Sequence, residues 1–174
     1  MTDIQEKARQ IRLAIFDVDG VLTDGQLYYG PDGMEIKAFH SRDGHGLKML
    51  QQTGVDVAII TARTSEAVKQ RMSGLGIRHV FQGQQDKTKS LHLLLERLDL
   101  RAEEVAYTGD DVIDLPVMTQ VGLAIAVQDA NELVKRHAHW ITPHCGGKGA
   151  ARDVCELLME AQGTLNSVLQ EYLA

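Results

Sequence analysis

Short apolar runs alternate with segments of helical spacing along most of the chain. "IRLAIFDV" (11–18), "VDVAIIT" (55–61), "VAYTG" (105–109) and "LAIAV" (123–127) predict strands buried on both faces. "HVFQG" (79–83) is a shorter candidate and "HWIT" (139–142) a weaker one. Between them, "GHGLKMLQQTG", "TSEAVKQRMSGLG", "KTKSLHLLLERLDL" and "DLPVMTQVG" have helical spacing and often stop at glycine. The repeated strand–helix–strand order predicts an α/β fold, a doubly wound (Rossmann-like) parallel sheet with helices on both faces. Residues 1–174 contain no internal repeat, low-complexity tract or linker and read as one domain.

One segment breaks the alternation. "GQLYYGPDGMEIKAFH" (25–40) places two extended runs around Gly-Pro-Asp-Gly and predicts a β-hairpin inserted after the first strand. Its aromatic residues either pack on their own domain or meet another subunit. At the other end, "GGKGA" begins a final helix, and the stretch 149–174 closes with the weakly amphipathic tail "TLNSVLQEYLA". That tail either packs or is disordered, or it reaches a neighbour's site as a lid.

Composition narrows the function. The chain is 44% hydrophobic and 24% charged, enough to bury a full core. A net charge of −6 argues against a general nucleic-acid binder, and an anionic substrate needs a local cation or metal against it. Cys145 and Cys155 form no disulfide framework and read as buried filler in a reducing compartment. No apolar run has the length to span a bilayer, and the polar start "MTDIQEKARQ" has no signal-peptide core. The expectation is a cytoplasmic protein with no membrane or nucleic-acid partner. The histidines of "HAHWITPHC" match no zinc-finger spacing and read as surface loop plus last strand.

In a parallel α/β sheet, ligands bind beyond the carboxyl ends of the strands. The first strand ends in Asp17, with Asp19 two places on, so both carboxylates can enter one crevice. Thr61 and Arg63 follow a second strand, Lys87 stands where a helix begins, and Asp110, Asp111 and Asp114 follow a third strand. Clustered carboxylates repel unless a cation sits among them, and oxygen ligands suit Mg²⁺. A hydroxyl, a lysine and several carboxylates at one rim suit phosphoryl transfer, with one carboxylate as nucleophile and another as acid and base.

These residues fall in "DVDGVLT", "IITAR", "QQDK" and "GDDVID", in that order. Together they resemble the four motifs of the haloacid dehalogenase superfamily of phosphohydrolases. The resemblance implies Asp17 as nucleophile and Asp19 as general acid/base, with Thr61 and Lys87 holding the phosphoryl oxygens. It implies Asp17, the backbone carbonyl of Asp19, and Asp110 as Mg²⁺ ligands, with Asp111 and Asp114 behind them or acting through water. Asp114 also reads simply as a helix cap.

The gaps from Asp17 to Thr61 and from Thr61 to Lys87 are each too short for a cap domain, for which roughly 50 residues is the usual minimum. A capless site is closed either by a macromolecular substrate or by neighbouring subunits, and the aromatic hairpin favours the second. In detail, "DVDGVLTDG", "KAFHSRDGHGLKML", "GDDVIDLPVM" and "GGKGAARDVCELLMEAQG" are similar to the 3-deoxy-D-manno-octulosonate 8-phosphate phosphatase family. That likeness implies a homotetramer acting on a small acidic sugar phosphate made for lipopolysaccharide. For the substrate it implies Arg63 as the first carboxylate partner, Asp24 as a further contact, and Arg71, Arg78 and Lys148 acting across an interface. Lys148, His40 and Ser41 depart from the family pattern, and His45 in the expected "SRDGHG" loop is either a plain loop residue or a substrate contact. The alternatives are a phosphatase for a nine-carbon relative, such as N-acylneuraminate 9-phosphate, a phospho-accepting receiver module, and an inactive scaffold.

Overall fold

The structure is a computed structural model that describes residues 3–173. Helix α1 (Asp3–Arg9) precedes strand β1 (Leu13–Phe16), and a hairpin of β2 (Tyr28–Tyr29) and β3 (Glu35–Ile36) follows. The chain then runs through α2 (Ser41–Gln52), β4 (Asp56–Ile60), α3 (Glu66–Gly74), β5 (His79–Phe81) and α4 (Lys87–Leu98). It finishes with β6 (Val105–Gly109), α5 (Leu115–Met118), β7 (Leu123–Ala126), α6 (Glu132–His137), β8 (Trp140–Ile141), α7 (Ala150–Ala161) and α8 (Leu165–Gln170).

Six strands form one parallel sheet in the order β5-β4-β1-β6-β7-β8. The central strands are continuous apolar runs because helices cover both of their faces, and every residue of β1, β6 and β7 is buried. From β1 the chain steps outward through β4 to β5, then returns to β6 and steps the other way. Right-handed crossovers therefore put α2 and α3 on one face and α4, α5 and α6 on the other. Helix α7 packs on α2 and α1, completing the first face. The direction reverses between β1 and β6, which are paired with Phe16 opposite Thr108. A crevice opens at such a switch point, beyond the carboxyl ends of the strands.

The sheet and its strands match the sequence expectation closely, and the hairpin forms where it was expected, although each strand is only two residues long. Three elements differ. "SRDGHG" is not a loop; it makes the first turns of α2, because Asp43 is drawn into tertiary contact there. Its buried carboxylate accepts the N–H of Arg152 at 2.9 Å and of Gly149 at 3.3 Å, so one helix satisfies the free amides at the start of another. The segment "DLPVMTQVG" yields a single helical turn rather than a full helix. The polar helix α1 carried no apolar stripe to announce it. It is held by Ala8 in the core and by donation from Lys7 Nζ to Gly122 O at 3.3 Å.

Replacing Asp43 with Ala leaves two helix-start amides unpaired, one buried and one half-buried. We expect Asp43→Ala to lower unfolding free energy by about 2 kcal/mol, read as a lower denaturant midpoint with unchanged slope.

Candidate active site

Three loops and one helix start converge on the switch-point crevice. Asp17 follows β1 directly, and its amide continues the sheet ladder by donating to Thr108 O at 3.1 Å. This fixes the backbone before the chain turns. Its Oδ1 accepts the Val18 N–H at 2.6 Å, and its Oδ2 faces Lys87 Nζ at 2.8 Å. Lys87 opens α4, whose first turn is capped by Asp86, the carboxylate accepting Thr88 N–H at 3.1 Å. The Lys87 ammonium is buried and also donates to Asp114 Oδ1 at 2.6 Å and Tyr107 OH at 3.2 Å.

Asp114 is the hub of the third loop. It is fully buried; Tyr107 OH donates to its Oδ1 at 2.6 Å, and the amides of Asp110 and Asp111 donate to its Oδ2 at 3.0 and 3.3 Å. It organises the loop that presents Asp110, which is more than a cap. Two glycines make room. A Cβ on Gly109 would lie 2.6 Å from the Asp114 carboxylate carbon, and one on Gly20 would lie 2.1 Å from Asp110 Oδ2, with Gly20 already at φ +87°.

Asp17, Asp110 and Asp114 each bring a carboxylate oxygen within 4.8 Å of the others. One lysine does not balance three acids. Burial, then the Asp114 charge, pushes Asp17 up to about 6 against the pull of Lys87. Burial, then Asp114 and Asp17, pushes Asp110 up to about 8. For Lys87, burial opposes the charge, but Asp17 and Asp114 outweigh it and raise its pKa. This donor set fits a hard divalent cation such as Mg²⁺, which takes carboxylate oxygens and relieves their mutual repulsion.

A cavity of about 260 Å³ stands over these groups, lined by Asp17, Asp19, Thr61, Arg63, Asp110 and Asp111 with Leu27 and Ile113 at its apolar side. Thr61 is buried at the end of β4, its backbone held between Phe81 O and the Gln84 amide at 2.9 and 3.0 Å. The exposed Asp111 caps the next turn, accepting Val112 N–H at 2.8 Å.

The candidates for substrate contact are dispersed. Arg63 reaches the cavity but is bound within its own chain, to Glu35 Oε2 at 2.5 Å and Tyr29 OH at 3.1 Å. Asp24 closes a turn with Gln26, accepting its amide at 3.1 Å, and does not line the cavity. Arg71 lies over the Phe39 ring, 5.9 Å from its centre, beside Gly44. Arg78 immediately precedes β5 and so stands at the amino end of the sheet, opposite the site. Lys148 is exposed, with no ion pair among the described residues. His45 lies in α2 and its Nε2 meets Tyr172 OH of the tail at 2.8 Å. The three histidines of "HAHWITPHC" are engaged singly, His137 through Nδ1 with Leu133 O at 2.8 Å. His139 Nδ1 accepts Ala124 N–H at 2.9 Å, and His144 Nδ1 pairs with Asp153 at 2.9 Å. Nothing in the linear pattern singled out Lys37, whose side chain is 2% exposed and bonded to Asp19. Its one signal was a lysine two places from Glu35, on the same side of an extended run.

A family model described as haloacid dehalogenase-like hydrolase matches residues 73–152. The 3-deoxy-D-manno-octulosonate 8-phosphate phosphatase of Yersinia pestis is 50% identical over 163 residues, covering 94% of this chain and 87% of that one. Among solved structures, a probable YrbI family phosphatase from Pseudomonas syringae is 51% identical with a TM-score of 0.97, covering 99% of this chain and 98% of that one. The Moraxella catarrhalis 3-deoxy-D-manno-octulosonate 8-phosphate phosphatase, solved with magnesium ion, phosphate ion and KDO, is 41% identical with a TM-score of 0.96 and 99% coverage of both chains.

The raised pKa values have a consequence for stability. Both carboxyls sit above their ordinary value of 3.8, so each stabilises the metal-free fold at low pH, and that contribution is lost as pH rises through about 6 for Asp17 and about 8 for Asp110. Mg²⁺ binds the ionised forms. The increase in Tm produced by Mg²⁺ over EDTA should therefore grow from pH 5 to pH 8, and Asp110→Asn should flatten that dependence, both read by thermal unfolding.

Proposed function

The chain belongs to the 3-deoxy-D-manno-octulosonate 8-phosphate phosphatase family of haloacid dehalogenase-like hydrolases, and on that premise we propose that it hydrolyses 3-deoxy-D-manno-octulosonate 8-phosphate to the free sugar acid and phosphate with Mg²⁺ as cofactor. The observation that carries this reading is the convergence of Asp17, Asp110 and Asp114 around one buried lysine at the edge of an open, polar cavity.

In the proposed reaction a carboxylate oxygen of Asp17 bonds to phosphorus as the ester P–O bond breaks, and Asp19 gives its proton to the leaving oxygen. Asp19 then takes a proton from water as the water oxygen attacks phosphorus and releases Asp17. Thr61 and Lys87 hold phosphoryl oxygens, and Lys87 keeps Asp17 in place through its 2.8 Å contact. Asp17, the Asp19 carbonyl and Asp110 hold the cation, with Asp111 and Asp114 supporting them. When bound, Mg²⁺ offsets the charge of the phosphoryl group and keeps the carboxylates ionised.

Among the described residues no cap domain stands over the site, so we read enclosure of a small substrate as needing other chains. Leu27, Tyr28, Tyr29, Met34 and Ile36 of the hairpin region are all exposed, and together they support self-association, which we read as a homotetramer. Two unpaired cysteines, Cys145 and the fully buried Cys155, are consistent with a cytoplasmic setting. No described helix is long and apolar enough to cross a membrane.

Phosphate release tests the reading. The eight-carbon sugar phosphate should be hydrolysed with Mg²⁺ and not with EDTA, and Asp17→Asn should retain less than about a thousandth of wild-type kcat. Activity that survives both treatments contradicts the mechanism, and a strong preference for a nine-carbon substrate contradicts the substrate.

A further inference from the structure

Four charged side chains from three segments close a ring at the edge of the cavity. Asp19 Oδ1 accepts a hydrogen bond from Lys37 Nζ. The same ammonium lies 2.7 Å from Glu35 Oε1, Glu35 Oε2 accepts from Arg63 at 2.5 Å, and Arg63 Nε lies 3.5 Å from Asp19 Oδ2. Two acids and two bases alternate around it. Glu35 and Lys37 come from the hairpin, Asp19 from the loop after β1, and Arg63 from the loop after β4.

The two oxygens of Asp19 are not equivalent. Oδ1 is committed to Lys37, whereas Oδ2 is buried without a hydrogen bond and faces an Arg63 Nε that also lacks one. The contact to Lys37 fixes Oδ1 and with it the orientation of the carboxyl. Lys37 is suited to the fixing role because it is almost wholly enclosed and has two anionic partners.

We propose that Lys37, seated by Glu35, is a positioning residue that holds the Asp19 carboxyl in place for its proton transfer to the leaving oxygen of the substrate. The proposal rests on the phosphatase reading above and adds to it the residue that orients the acid. The inserted hairpin thereby has a part in the chemistry as well as in association.

Leaving-group dependence separates positioning from scaffolding. An alkoxide leaving from a sugar phosphate needs the Asp19 proton, whereas the p-nitrophenolate of p-nitrophenyl phosphate leaves without it. The value of kcat/KM reports the first phosphoryl transfer, in which that proton moves. In Lys37→Met, kcat/KM for 3-deoxy-D-manno-octulosonate 8-phosphate should fall about 100-fold further than for p-nitrophenyl phosphate, the scale of general acid catalysis. Lys37→Arg should recover part of the difference, and Glu35→Gln, which leaves Lys37 present but loosely held, should show a smaller loss of the same kind. A parallel fall on both substrates, or no fall on either, overturns the proposal while leaving the phosphatase reading intact. If Lys37→Met does not fold, Glu35→Gln decides by the same comparison. A wild-type protein that hydrolyses neither compound overturns the phosphatase reading, and the positioning role with it.

Discussion

Three carboxylates share one buried ammonium, and the rest of the molecule is arranged to hold them there. Asp17 is fixed by the sheet ladder, Asp114 by a tyrosine and two amides, and Lys87 by the start of a helix on the opposite side of the crevice. Separately exposed, these acids would ionise in the ordinary range. Buried together with one ammonium among them, Asp17 and Asp110 are pushed upward, by burial first and by the neighbouring acids second. The fold supplies the rigid part of the site, and a divalent cation supplies the missing charge.

The sheet order explains why the acids meet. β1 and β6 are neighbours whose following connections leave on opposite faces, so the loops carrying Asp17 and Asp110 border one crevice. Glycine at positions 20 and 109 lets the two loops close to carboxylate contact distance. The hairpin then brings Glu35 and Lys37 over the same rim, so the segment with the most exposed aromatic surface also contacts Asp19 and Arg63.

Much of this was legible in the chain. Apolar runs ending in Asp17, Thr61 and Gly109 marked both the strands and the end of the sheet where chemistry sits, because residues after a parallel strand lie at its carboxyl end. The same rule disfavours Arg78, which precedes β5, as a contact within its own chain. Helix α2 begins earlier than its apolar spacing suggested because Asp43 is stabilised by a partner more than a hundred residues away, a contact that local pattern does not encode. The commitment of Arg63 to Glu35 and the burial of Lys37 were hidden for a related reason. A lysine just past a two-residue strand reads as solvated until the fold places two acids against it.

The central claim is that a cation completes the carboxylate cluster. Isothermal titration calorimetry of Mg²⁺ into the purified protein at pH 7, repeated in buffers of different ionisation enthalpy, tests it directly. The account predicts saturable binding at one site per chain, with proton release that comes chiefly from Asp110 as the ion enters, and loss of that site in Asp110→Asn. Absence of binding, or binding with no proton release that persists in Asp110→Asn, would contradict it.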